Sequence, residues 1–411
     1  MWCTLALLRE SPGALVFTSI GHFLNDGNFL MVSLLIVYYG EVPQVNITYV
    51  ALMAIGINVI SGLMSMGVAK LSVMLKFHGF LIFLGICLEA SSLFLFAVPF
   101  VYPIYWFPAV LSGSILLGSG QSFYHPLGAS ILRSSYGVRV APIAMGINGS
   151  IGSVGRSAIP VALGFLILDF GNFDGLTYLA IAIFIGAVMI LFGLRDYRAP
   201  VDKPPARTGH KNGLPRQYWV FILYLTVVVF LRSMFMGGSV LYLDKYVYGI
   251  LGSKILSDVF LTVTLIPPIL GQPILGVLTS RMGGRFTTNM TGIISVIFFF
   301  LFLATDNVIL MGVSFGIYAF MAFSLFPVML GFISQQVKES EGAISNSIAW
   351  GLGNSLGVGA GILLMTLWVN DFGLDSAMYF ILVFGVISTL LFISIRPDLV
   401  PRGKAEENSA V

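Results

Sequence analysis

The sequence predicts an all-α membrane protein with twelve transmembrane helices in two pseudo-symmetric six-helix bundles. Three observations carry that expectation. Of the 411 residues, 57% are apolar and only 9% are charged, where a soluble domain carries about a quarter charged; the mean hydropathy is +0.95. The apolar residues fall into two sets of six runs, each run near the ~20 residues a spanning helix needs, with none of the ten-residue alternation of a membrane β-barrel. Short motifs also recur between the two sets.

The first set falls at 14–39, 47–69, 79–100, 104–132, 141–168 and 176–194, which makes 1–194 the N-terminal six-helix bundle. Met1 to Glu10 lacks the charged opening and small-residue cleavage site of a secretory signal, so the first run is expected to stay as a span. Residues 195–217 hold Arg195, Arg198, Lys203, Arg207, Lys211 and Arg216 among Pro200, Pro204, Pro205 and Pro215. A basic, proline-rich stretch has too little apolar surface to pack and reads as an extended cytoplasmic linker. The second set falls at 218–246, 254–280, 286–304, 308–335, 343–369 and 376–395, so 218–395 is the C-terminal bundle and 396–411 a cytoplasmic tail. With both termini inside, 17 of the 21 Lys and Arg residues are cytoplasmic, Lys245 and Lys254 are outside, and two lie within spans. That asymmetry sets the orientation, with the cell (inner) membrane as the expected location.

The repeat has an offset of about 202 residues. Gly149-Ser150-Ile151-Gly152-Ser153-Val154-Gly155 reads against Gly351-Leu352-Gly353-Asn354-Ser355-Leu356-Gly357, and Asp169-Phe170-Gly171 against Asp371-Phe372-Gly373. Pro126 and Pro327 correspond one residue out of register. These matches align the fifth helices of the two halves, the parallel repeat expected for two six-helix halves with a site between them.

Several function classes drop out. This hydropathy excludes a soluble enzyme, and a formal net charge of +3 gives no footprint for nucleic acid. Cys3 and Cys87 have no Cys or His partner at ligand spacing, so neither a disulfide framework nor a metal site is expected. No phosphate-cradling Gly-x-x-x-x-Gly-Lys-Ser/Thr loop is present for ATP-driven pumping, and no catalytic motif at usable spacing. What remains is a non-enzyme without cofactor in the lipid bilayer, expected to be a monomer.

Twelve spans, duplicated halves and a basic central loop resemble the major facilitator superfamily across nearly the whole chain. Gly276-Val277-Leu278-Thr279-Ser280-Arg281-Met282-Gly283-Gly284-Arg285 resembles that superfamily's cytoplasmic Gly-x-x-x-Asp-Arg-x-Gly-Arg motif, with Ser280 in place of the Asp. The first-half copy near Gly67 to Lys76 is degenerate. The resemblance implies a gating role for Gly276 and Arg281. Gly21-His22-Phe23-Leu24-Asn25-Asp26 and Gly118-Ser119-Gly120-Gln121-Ser122-Phe123-Tyr124-His125-Pro126 are similar to the fosmidomycin-resistance branch, which implies export of a toxic compound.

Charge at the bilayer centre costs at least ~2.5–3.5 kcal/mol, so ionisable residues there are functional candidates. His22, Asn25 and Asp26 are spaced i, i+3, i+4 on one helix face, with Thr18 a turn earlier. Asp26, with His22, is the expected proton-coupling carboxylate; the alternatives are a permanent ion pair or a cap for a break near Gly27. Arg156 stands among small residues in the fifth helix, where the resembling branch has a Gly-Pro step. It is either a counter-ion for Asp26 or a grip on an anionic substrate. Arg232, near the middle of the seventh helix, either adds to an anion site roughly opposite His22 and Asp26, or snorkels, or pairs with Asp244. Gln121, Tyr124 and His125 share the fourth helix; they bind substrate or relay protons, or His125 satisfies backbone groups freed by Pro126. Asn148 and Asn354 are substrate-binding candidates, weighed with Asn58 and Gln272 against amides that merely join helices. Glu89 reads as paired or protonated on a peripheral helix. Pro267, Pro268 and Pro273 mark a kink or gate in the eighth.

The function expected from these residues is secondary active transport of a small polar or anionic organic solute, proton-coupled, by alternating access. Fosmidomycin-type efflux and organic-anion uptake both fit. The rival is a transport-inactive receptor or assembly subunit that keeps the transporter fold, supported by Ser280 and the degenerate first motif.

Overall fold

The computed structural model of the chain describes residues 11–75, 77–195, 197, 216–324 and 348–395. Most of the expected linker, the whole tail and the stretch 325–347, which includes Pro327, lie outside them, as does the side chain of Ser280. Every regular element among the described residues is helical.

The first span is built in two pieces: α1 (Pro12–Gly27) and α2 (Met31–Tyr39), joined by a 3-10 turn at Asn28–Leu30. Pro12 opens α1, where its missing N–H costs nothing. Then come α3 (Ile47–Leu75), α4 (His78–Ala97), α5 (Trp106–Phe170) and α6 (Asn172–Gly193). The second half contains α7 (Arg216–Leu241), α8 (Leu243–Leu251), α9 (Lys254–Thr264), α10 (Pro268–Met282), α11 (Gly284–Leu303) and α12 (Val308–Ala322). A π-helical turn at Ala349–Ser355 leads into α13 (Leu356–Phe372), followed by α14 (Leu374–Ile393).

Ten helical stretches among the described residues are long and apolar enough to cross a membrane. Of the other two expected spans, the tenth (308–335) falls partly on the 15-residue apolar α12 and partly on residues outside the description. The fourth forms the first arm of α5. That segment has 65 residues, about 97 Å of straight helix, yet Tyr124 Oη and Asn148 Oδ1 are 2.8 Å apart. It therefore doubles back between them, and the expected fourth and fifth spans are its two arms.

The chain divides into two units, one of Met1–Val201 with Val240–Ile269, the other of Asp202–Ser239 with Leu270–Val411. Residues 240–269 join the first unit because they are tied to α2: Ser33 donates to the Val240 carbonyl at 2.9 Å, and Tyr38 Oη donates to Asp258 at 2.7 Å.

The sequence repeat is matched by backbone geometry. Gly171 (φ 84°, ψ 169°) and Gly373 (φ 83°, ψ 167°) each end one helix and open the next, in a conformation that a Cβ disfavours. Gly155 and Gly357 are a second matched pair. A Cβ on Gly155 would lie 2.1 Å from the Phe23 carbonyl oxygen, and one on Gly357 would lie 2.4 Å from that of Phe230. Each glycine lets its helix close on the first helix of its own half.

Between α9 and α10 the helix is interrupted at Leu265–Pro267, as expected for consecutive prolines that cannot donate to the preceding turn. Pro273 is accommodated inside α10.

Candidate functional site

Asp26, Glu89 and Arg156 each fall near the midpoint of a candidate span, within Pro12–Tyr39, His78–Phe100 and Ala144–Phe170. Two of the three meet in the first unit. Arg156 Nη2 donates to Asp26 Oδ2 at 2.8 Å, and the Arg156 guanidinium also lies 5.7 Å from the ring centre of Phe29. Asp26, 7% exposed, is ringed by further nitrogen atoms: His22 Nε2 at 3.4 Å, His125 Nε2 at 3.6 Å, and Asn25 Nδ2, which donates to Oδ1 at 3.1 Å. Asn25 also lies 3.4 Å from His125. The α1 spacing supplies His22, Asn25 and Asp26 on one face; the returning arms of α5 supply His125 and Arg156. The break after Gly27 is present, but the Asp26 side chain is turned to Arg156.

Asn148 fixes the state of His22. Its Nδ2 faces the hydroxyls of Thr18 and Ser19, each at 3.3 Å, so its Oδ1 is left to accept from Tyr124 Oη and His22 Nδ1, each at 2.8 Å. The hydrogen-bond network thus assigns the Nδ1 proton. The other ring nitrogen, Nε2, faces Asp26 Oδ2, the oxygen that also accepts from Arg156. His22 also packs against Tyr124, with ring centres 4.8 Å apart. It has room because residue 152 is glycine: a Cβ there would sit 2.5 Å from the ring.

The same face offers His22, Asp26 and His125 ligand atoms within 4.8 Å of one another, a spacing that can hold a metal ion. The guanidinium on Asp26 Oδ2 opposes that use by competing for the carboxylate with a fixed positive charge.

The remaining candidates separate from this cluster. Gln121, half-buried one turn before His125, makes no hydrogen bond among the described residues. Arg232 lies in the second unit, 4% exposed, and donates to Ser295 Oγ; Asp244, the partner weighed for it from the sequence, accepts from Ser257 in the first unit. Asn354 accepts from Ser233 at 3.0 Å, joining helices of the second unit, and Asn58 donates to the Ala54 carbonyl of its own helix. Gly276 and Arg281 are exposed near the end of α10, and Gly283 (φ 84°) makes the turn into α11. Pro267 lies in the helix break and Pro268 opens α10.

Sequence reasoning missed two features. Asn28 donates to Glu89 Oε2 at 2.7 Å, giving this fully buried carboxyl a partner just beyond Asp26 in the chain. A second group forms where α2 meets α8 and α9: Tyr38 on Asp258, Ser257 on Asp244, and Lys254 paired with Glu41. Asn28 closely follows Asp26, a usable signal; Tyr38 and Asp258 are 220 residues apart and left none.

Comparison with solved structures decides the fold. The nucleoside transporter NupG, in a point-mutant form, aligns with TM-score 0.71 at 14% identity over 93% of this chain and 98% of its own. The chain has the major facilitator fold. A POT family transporter in complex with 5-aminolevulinic acid aligns at TM-score 0.72 and 14% identity, over 95% and 97% of the two chains. A bacterial homolog of the human lysosomal transporter Spinster, inward-facing and unoccupied, gives 0.72 at 13%, over 92% and 95%. The Major Facilitator Superfamily model matches residues 225–410, and no curated protein matches the sequence. The major facilitator fold and the apolar helices make this a multi-pass integral membrane protein.

Proposed function

We propose that the chain is a proton-coupled secondary transporter of the major facilitator superfamily, moving a small organic anion by alternating exposure of one site to the two sides of the membrane. The observation that carries this reading is the Asp26 carboxylate held by Arg156 at 2.8 Å while His22, its outward nitrogen already committed to Asn148, faces it with the other.

Arg156 is the group a carboxylate or phosphonate cargo would seek, because guanidinium binds such groups through two parallel hydrogen bonds. Cargo taking Arg156 leaves Asp26 without its fixed counter-charge, and the carboxylate then binds a proton from solution in its place. Asn25, Tyr124, His125 and Asn148 hold the geometry and supply further polar contacts, with Gln121 one turn along the same helix. Because anion and proton are each bound more tightly in the presence of the other, they travel together. This linkage favours symport, hence uptake down a proton gradient, over the fosmidomycin-type efflux that the short motifs resemble.

The test is accumulation of radiolabelled organic anions and phosphonates in proteoliposomes with a pH gradient imposed in each direction. Cotransport requires accumulation on the alkaline side. Accumulation on the acidic side makes the protein an exchanger, and solute binding without flux in either direction returns it to the receptor class.

A further inference from the structure

The second unit contains a buried cation without a counter-ion among the described residues. Arg232 of α7 uses Nη2 on Ser295 of α11 and lies 5.3 Å from the ring centre of Phe235, but its Nε and Nη1 have no hydrogen-bond partner. The ion pairs found among the described residues belong to Asp26 and to Lys254, not to Arg232. Beside the guanidinium is a cavity lined also by Thr288, Asn289 and Ser388, with a free volume of about 10 Å3. Thr288 Oγ1 and Asn289 Oδ1 are likewise without partners.

We propose that this cavity is a monatomic anion site, and that its occupant is chloride. Three arguments converge on that ligand. Removing a guanidinium from water costs several kcal/mol unless its charge is met; a bound water would satisfy Nε and Nη1 but leave the charge. The cavity is small and only partly enclosed, so a compact ion can sit against the donors on its wall. The unpartnered groups include three donors: Nε–H, Nη1–H and the Thr288 hydroxyl. Ser295 is no substitute for an anion, since it already donates to the Gly292 carbonyl at 2.9 Å and is neutral. The site lies wholly within α7, α11 and α14 of one unit, and the proposal does not depend on the transport reading.

The experiment is thermal unfolding of the purified full chain at constant ionic strength, with sodium gluconate replaced stepwise by sodium chloride, together with crystals soaked in bromide. The wild type should show a saturable rise of several degrees in its midpoint and an anomalous bromide peak beside Arg232. Thr288→Val should raise the half-saturating chloride concentration several-fold, and Arg232→Gln should abolish the chloride dependence. If Arg232→Gln does not fold, Thr288→Val and the bromide peak decide. A wild-type midpoint equal in gluconate and chloride, a chloride effect that survives in folded Arg232→Gln, or bromide absent from this cavity would overturn the proposal.

Discussion

Arg156 and Asp26 meet at 2.8 Å across 130 residues of chain, both largely shielded from solvent. A charge pair of this kind is costly to break from one side, because the partner left behind is a buried, uncompensated ion. Arg156→Gln is expected to lower stability by about 3 kcal/mol, and Asp26→Asn by a comparable amount. The double variant should recover at least about 1 kcal/mol of the summed loss, as directly interacting groups do. A double-mutant cycle on thermal or denaturant unfolding in detergent checks this; strict additivity would mean that the two charges do not depend on each other.

The matched glycines give a prediction about packing. Gly155→Ala drives a methyl into the Phe23 carbonyl and Gly357→Ala into that of Phe230, and overpacking of this kind costs about 1–3 kcal/mol. Both variants should unfold at lower temperature by similar margins. Gly146→Ala, where a Cβ meets nothing within 4 Å, is the control and should be as stable as the wild type or slightly more so.

Tyr38→Phe removes the hydroxyl that donates to Asp258 while leaving that carboxylate fully buried. The expected loss is about 1–3 kcal/mol, the cost of leaving a buried acceptor without its donor. Adding Asp258→Asn to Tyr38→Phe should restore part of it, because a neutral amide costs less to leave unpaired. Unfolding measurements on the two variants test the order.

Glu89 has its partner in Asn28 rather than in the Asp26 cluster. Glu89→Gln keeps an oxygen to accept from Asn28 and removes any charge, so pH-driven flux should stay within about twofold of the wild type, a barrier change of roughly 0.4 kcal/mol. A large loss of coupling in that variant would bring Glu89 into the proton path.

Much of the site was legible because charge is rare in this chain. His22, Asn25 and Asp26 show themselves by i, i+3, i+4 spacing in an apolar run, and Arg156 by standing in the middle of one. What joins them was not written locally. The role of Asn148 in orienting His22 depends on α5 folding back upon itself, and its two amide atoms look alike in sequence to those of Asn354, which ties helices in the other unit. Arg232 reads like Arg156 by position alone; only its surroundings separate them, a serine and a phenylalanine in place of a carboxylate. The helix break at Pro267 was visible because proline acts through its own backbone, whereas the attachment of residues 240–269 to α2 arises from pairings across more than 200 residues.

The most direct measurement is flux by Asp26→Asn in proteoliposomes, comparing pH-driven accumulation of an organic anion with exchange at equal pH on both sides. An amide retains the shape of the carboxylate and cannot bind a proton as the carboxylate does. The account predicts loss of accumulation with exchange partly preserved; accumulation at the wild-type rate would contradict it.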